Sequence, residues 1–308
     1  MTKQTTLRGP VTKRGLTVFS GSETVVSLEP APADHGIVFL VDGVRVPARI
    51  ENVAPEIIGR TALQKEGAFI AMVEHLLAAL HGLQVDNVLI RVDGNEIPML
   101  DGSAKLWVEA IQHTGIVELP TERVQLCLKQ PVYWSGRDAR CIAIPARQFT
   151  VTYAWYAPQS EQFRSAFWEG VINPESFCEE LQSARTFGFE EEVKKAQELG
   201  FIRGASLERG ILIRDDKIVN AEGLRFPDEI VRHKALDVVG DLALVGLNVA
   251  MHVIAVRSGH IGNIALARAI HAKLQEEIAD EPNNAKTATR SEADREDTAT
   301  PLPVFADR

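Results

Sequence analysis

The chain has 308 residues, a net charge of −9, and apolar and charged fractions of a soluble globular protein, enough for two domains with cores of their own. Residues 276–308 hold nine acidic and four basic side chains, so the tail carries −5 and the body only −4. A mildly acidic body lacks the basic face of a nucleic-acid binder, and no nucleic-acid partner is expected.

The first fifty residues read as strands: ETVVSLEP and GIVFLVDGVRVPARI are rich in β-branched residues and split by turn formers. In FIAMVEHLLAALHG, Ile70, Val73, Leu77 and Leu80 form a helical stripe, with Gly82 as its stop. DNVLIRVDG follows as a strand, NEIPMLDGS as a turn-rich loop and AKLWVEAIQHTG as a second helix. The second half begins with strands in VQLCLKQPVYW, RCIAIPA and QFTVTYAWYA. NPESFCEELQ opens a helix on Asn173 and Pro174, and FEEEVKKAQELG is a short charged helix. ERGILIRDD and KIVNAEG form a hairpin. PDEIVRHKALDVVGDLALVG is a helix, VAMHVIAVRSG a strand, and NIALARAIHAKLQ the last helix.

Each half thus runs strands, helix, strand, helix. That order predicts two similar α+β units, 1–120 and 121–279, meeting near Pro120. Residues 280–308 lose the apolar period and read as a disordered acidic tail. Cys127, Cys141 and Cys178 are far apart and odd in number, which suits a reducing compartment. The N-terminus has no apolar run after its basic residues, so no signal peptide is expected. The longest apolar run, 242–256, is too short to span a bilayer. The expectation is a cytoplasmic protein with no integral membrane segment.

The chemistry concentrates in VRHKALDVVGD. On a helix, His233, Asp237 and Asp241 share one face, about 6 Å apart along the axis. A His–Asp pair at i, i+4 is by itself most often a surface ion pair. Glu74-His75 changes its weight, because polar groups in so apolar a helix are costly unless engaged. His75, His233 and Asp237 make a set of three N/O ligands with a fourth position open, the pattern of a catalytic zinc site. Iron(II) also suits such a set. Glu74, adjacent to a ligand but turned about 100° from it, can act as base to a water. His260, in the Gly-flanked loop RSGHIGN, is the candidate acid, and Asp241 can fix its tautomer and favour its cation. Lys234 can answer a negative charge on a substrate.

MVEHLLAALHGLQVDN, EIPMLDGSA, SARTFGF, GLRFPDEIVRHKALDVVGDLALVG and SGH–x–x–N, with an early PAP followed by GIVF, resemble the UDP-3-O-acyl-N-acetylglucosamine deacetylase family from about Lys3 to about Leu274. The resemblance implies the committed step of lipid A synthesis, with UDP-3-O-acyl-N-acetylglucosamine and water as substrates; a monomer is expected. It implies Zn2+ on His75, His233 and Asp237, Glu74 as base, and His260 as acid supported by Asp241. It adds Thr186 as an oxyanion donor, Phe187 packing on the sugar and Lys234 at the nucleotide end. From the residues alone, Thr186-Phe187-Gly188 reads as a turn between helices. The implied fold is two α+β domains, each a sheet with two helices, the helices packed between the sheets. Each domain carries a small insert, the second, near 188–213, lining a passage for the acyl chain.

Some segments depart from the family pattern. LTVFSG stands where GLHSG or GLHTG is usual, so Phe19 replaces a histidine, and Ala71-Met72 stands where Ser-Thr is usual. Glu190 and Ala196 replace bulkier apolar residues in the passage, and RGASLERG replaces a more usual GGS. These changes leave two other readings to weigh: a zinc amidase for a different amino sugar, and a non-catalytic sugar-nucleotide binding protein.

Overall fold

A computed structural model describes residues 2–55 and 59–293, with side chains to residue 279. The fold is α+β, as expected. One five-stranded sheet runs, in spatial order, Val11–Leu16, Glu23–Pro30, Val88–Asp93, Ile37–Val41, Val44–Pro47. A second sheet has the path Val132–Ser135, Arg140–Pro145, Asn248–Val256, Thr150–Tyr156, Ser165–Val171, with Gln125–Cys127 pairing beside Asn248–Val256. The two paths share one topology. Two hairpins form first, and a later strand enters between them, antiparallel to one neighbour and parallel to the other. A parallel neighbour requires a long crossover. Helix Glu74–Gly82 lies in that crossover in the first sheet and helix Glu229–Leu242 in the second, followed by helices Lys105–Thr114 and His260–Ala293.

Strand alternation turns one face of each sheet inward. Val26 and Leu28 are buried in Glu23–Pro30, and Val151 and Tyr153 in Thr150–Tyr156. They join Leu76, Leu77, Leu80, Leu236 and Val239 of the two crossover helices in one continuous core. The crossover helices are buried nearly all round, which explains their apolar surroundings of Glu74 and His75. They cross at Gly240, where a Cβ would stand 2.1 Å from the Glu74 carbonyl oxygen. Only glycine permits that approach.

Several local expectations change. Ile70 lies in a hairpin strand, Ala68–Ala71, paired with Ala62–Lys65, and Met72 at φ +61° turns the chain into the helix, which starts at Glu74. Gly82 ends that helix, but the left-handed residue that turns the chain away is Gln84. Gly82 makes room for the Phe177 ring, 2.4 Å from where its Cβ would be. The segment opened by Asn173 and Pro174 is helical only to Ser176 and continues as a π-turn, Phe177–Leu181. Phe187–Phe189 is a strand, not a turn, and pairs in parallel with Ile211–Arg214 of the expected hairpin. Near Pro120, strand Ile116–Glu122 returns to pair with Lys3–Leu7. Of the tail expected at 280–308, helical backbone is described to Ala293, and the remainder lies outside the described residues. No helix among the described residues is long and apolar enough to cross a membrane.

Candidate active site

The crossing of the two central helices brings four of the sequence-selected residues together. Glu74 and His75 open one helix, and His233 and Asp237 face them from the other. The Asp237 Oδ1 lies 3.6 Å from His75 Nε2 and 3.4 Å from His233 Nε2, with all three donor atoms within 4.8 Å of one another. All three residues are buried. Asp237 Oδ1 has no hydrogen-bond partner among the described residues. A buried carboxylate oxygen without one is costly. An electron-poor centre between the imidazoles would satisfy it, so the set fits a divalent metal ion.

The protonation states agree. His233 Nδ1 faces the Ala184 carbonyl at 3.1 Å and must donate to it, which leaves Nε2 as a lone pair. Burial, with the nearby cations, outweighs Asp237 and lowers the His233 pKa to about 3, so the ring stays neutral. Asp237 is held well below the usual carboxylate range: burial works against ionisation, but the Lys234 ammonium beside it favours the anion and prevails. Lys234 points at this carboxylate, its Nζ 2.5 Å from Oδ2. Its charge is thus balanced inside the site, while the residue still lines the cavity.

Next to the ligand set stands a second group. The Glu74 carboxyl is 1% exposed, and burial raises its pKa despite nearby His260 and His75. Its Oε2 accepts the Thr61 backbone N–H at 3.0 Å, and its Oε1 lies 3.9 Å from His260 Nε2. His260 is the first residue of the last helix rather than a loop residue. A helix N-terminus and burial both disfavour its cation. Asp241 overcomes both, and the pKa rises to about 9. Asp241 is fully buried. Its Oδ2 accepts from His260 Nδ1 at 2.9 Å and Asn263 Nδ2 at 2.8 Å, and its Oδ1 accepts from Thr61 Oγ1 at 2.5 Å.

The Thr186 segment arrives through backbone pairing and one buried ion pair. Thr186 N–H donates to the Gly102 carbonyl at 2.7 Å, which ties its segment to the EIPMLDGS loop, and no protein group among the described residues takes the Thr186 hydroxyl. Arg185 is 2% exposed and forks onto Glu229 at 2.9 and 3.1 Å. Phe187 stands edge-on to the His233 ring, 6.2 Å between centroids.

Thr61, Asn263, Arg185 and Glu229 are the working residues that sequence reasoning did not assign. Asn263, Arg185 and Glu229 lie inside SGH–x–x–N, SARTFGF and GLRFPDEIVRHKALDVVGDLALVG. Thr61 lies outside all of them, and its partner Asp241 comes from a distant segment.

These groups open on a cavity of about 990 Å3. Beyond Glu74, His75, Thr186 and His260, its wall is largely apolar, including Val193, Ala196, Phe201, Ile202 and Leu207 of the segment after Phe189. Glu190 also lines it, but Arg214 Nε at 2.7 Å and Lys194 at 3.4 Å neutralise its carboxylate.

Comparison with known proteins gives one family whose model, described as UDP-3-O-acyl N-acetylglycosamine deacetylase, matches residues 4–272. Curated relatives named UDP-3-O-acyl-N-acetylglucosamine deacetylase include one from Chlamydia abortus, 39% identical over 277 residues, covering 88% of this chain and 98% of that one. Another, from Anaeromyxobacter dehalogenans, is 40% identical and covers 87% of each chain. One from Geotalea uraniireducens is 39% identical and covers 84% of this chain and 85% of its own.

Proposed function

This chain belongs to the UDP-3-O-acyl N-acetylglycosamine deacetylase family, and from that premise we propose that it hydrolyses the N-acetyl group of UDP-3-O-acyl-N-acetylglucosamine in lipid A synthesis. The products are acetate and the free-amine sugar nucleotide. The reading is of a cytoplasmic monomer with one Zn2+ per chain, Fe2+ being the other metal its donors suit. The observation that carries it is the unpartnered Asp237 oxygen between two imidazole nitrogens, beside a buried carboxyl and a charged histidine.

His75, His233 and Asp237 would hold the metal, which when bound polarises a carbonyl and acidifies a water. Glu74 takes the proton of the attacking water. Its raised pKa brings it nearer the working pH, where a general base is most effective. The Thr186 hydroxyl, uncommitted to protein, donates to the oxygen that becomes negative as water adds to the carbonyl. His260, charged at neutral pH by Asp241, passes its Nε2 proton to the departing nitrogen. Asp241 works through His260: it fixes Nδ1–H, so the proton for transfer is on Nε2. Phe187 offers an apolar surface to the sugar. Lys234 keeps one donor on Asp237 and can turn its others toward the nucleotide end. The apolar segment after Phe189 takes the acyl chain, and the small Ala196 widens that passage.

The test is acetate release from UDP-3-O-acyl-N-acetylglucosamine by the purified protein, before and after chelation and after adding back Zn2+ or Fe2+. Turnover that vanishes on chelation and returns with metal is expected. Full activity of the metal-free protein would overturn the reading.

A further inference from the structure

Four lysine or arginine side chains line the cavity: Arg60, Lys194, Arg209 and Lys234. Three are balanced or engaged by protein. Lys234 pairs with Asp237 at 2.5 Å, and Lys194 with Glu190 at 3.4 Å. Arg209 bonds Ser206 Oγ at 2.9 Å and lies 4.0 Å from Glu208. Arg60 has no carboxylate or carbonyl partner among the described residues. Its guanidinium instead lies over the Phe19 ring, 3.9 Å from the centroid.

That ring is firmly placed. Phe19 N–H donates to Glu96 Oε1 at 2.7 Å and Ser20 N–H to Oε2 at 3.1 Å, and the carboxylate is 3% exposed. The Phe19 carbonyl accepts from Arg203 N–H at 3.2 Å. Gly59, at φ +65°, runs its backbone alongside the ring and delivers Arg60 onto it. A guanidinium on an aromatic face is held by its π-face and keeps its edge N–H groups for a ligand. Phosphate oxygens are the group that a guanidinium edge meets with two parallel hydrogen bonds.

We propose that Arg60, carried on the Phe19 ring, binds the diphosphate of the sugar nucleotide. The inference deepens the proposed function and rests on it for the identity of the ligand. It also gives Phe19 a purpose: where the family usually has a histidine, this chain has a platform for a second residue. Phe19 is a positioning residue, and Arg60 touches the substrate.

The experiment measures binding of UDP, and of uridine as the phosphate-free control, to the metal-loaded protein and to Arg60→Ala, Arg60→Lys and Phe19→Ala variants of verified fold and metal content. Loss of a charge-assisted contact predicts UDP binding weakened about tenfold to a hundredfold in Arg60→Ala, with uridine binding unchanged. Arg60→Lys recovers part of the loss, and Phe19→Ala gives a smaller one. In turnover, Arg60→Ala raises KM and leaves kcat within about threefold, and the difference from wild type shrinks as salt rises. UDP affinity equal in Arg60→Ala and wild type overturns the proposal and leaves the deacetylase reading standing. A wild type that binds UDP through Arg60 but releases no acetate overturns the deacetylase reading instead.

Discussion

Replacing Asp241 by Asn removes one charge and almost no volume. The amide oxygen can keep the bonds from His260 Nδ1 and Asn263 Nδ2, now 2.9 and 2.8 Å long. The amide nitrogen can donate to Thr61 Oγ1, which now donates to the carboxylate at 2.5 Å. His260 therefore stays in place and loses the main influence that raises its pKa. At about 9 in place of 6.5, its proton is held by about 3 kcal/mol. Without Asp241, burial opposes only Glu74 and Asp237, and the pKa falls toward or below 6.5. At pH 7.5 the charged fraction would drop from about 97% to about 10%. Histidine NMR titration of the metal-free protein reads this directly, and the basic limb of the pH profile of kcat/KM should move to lower pH with it. Stability follows with a fixed sign. A histidine whose pKa rises on folding contributes fully below about pH 6.5, and the contribution is lost as pH climbs through about 9. Wild type should lose up to about 3 kcal/mol relative to Asp241→Asn across that window, read from urea midpoints. A titration and basic limb that stay at their wild-type positions would refute this account of His260.

Glu74→Ala and His260→Ala should each lower kcat by about a hundredfold or more while retaining one metal ion per chain by elemental analysis; metal loss in both would sink the division of roles between the ligand set and the acid–base pair. Gly240→Ala puts a Cβ 2.1 Å from the Glu74 carbonyl oxygen. It should cost roughly 1–3 kcal/mol of stability by denaturant melt and weaken metal binding together with activity, because it separates the helices that carry the ligands; wild-type metal affinity would show that the crossing distance does not matter.

What could be read in the chain follows from how local each signal is. His233, Asp237 and Asp241 share a helix face whatever surrounds them, so their spacing already predicted a common site. Glu74-His75 stood out because polar neighbours in a greasy helix need engagement. Phe187–Phe189 did not read as a strand, since three residues carry no period and each pairs with a residue 24 positions on, in Ile211–Arg214. Ala68–Ala71 misled in the other direction, because its apolar residues continue the helical stripe that begins at Val73. Thr61 and Arg60 were invisible for a plainer reason: their partners Asp241 and Phe19 are set by tertiary contact alone.

The glycine crossing of the two central helices also says when activity can first exist. Glu74 and His75 leave the ribosome some 160 residues before His233 and Asp237. His260 and Asn263 come later still, and Asn263 bonds the same carboxylate as His260. A chain halted or cleaved before the second central helix keeps Glu74 and His75 without His233, Asp237 or His260. Such a chain has one member of the three-residue donor set and lacks the histidine that Asp241 holds. Under the proposed function, metal uptake would therefore require that these distant segments have docked, and a chain lacking the second central helix would be inactive.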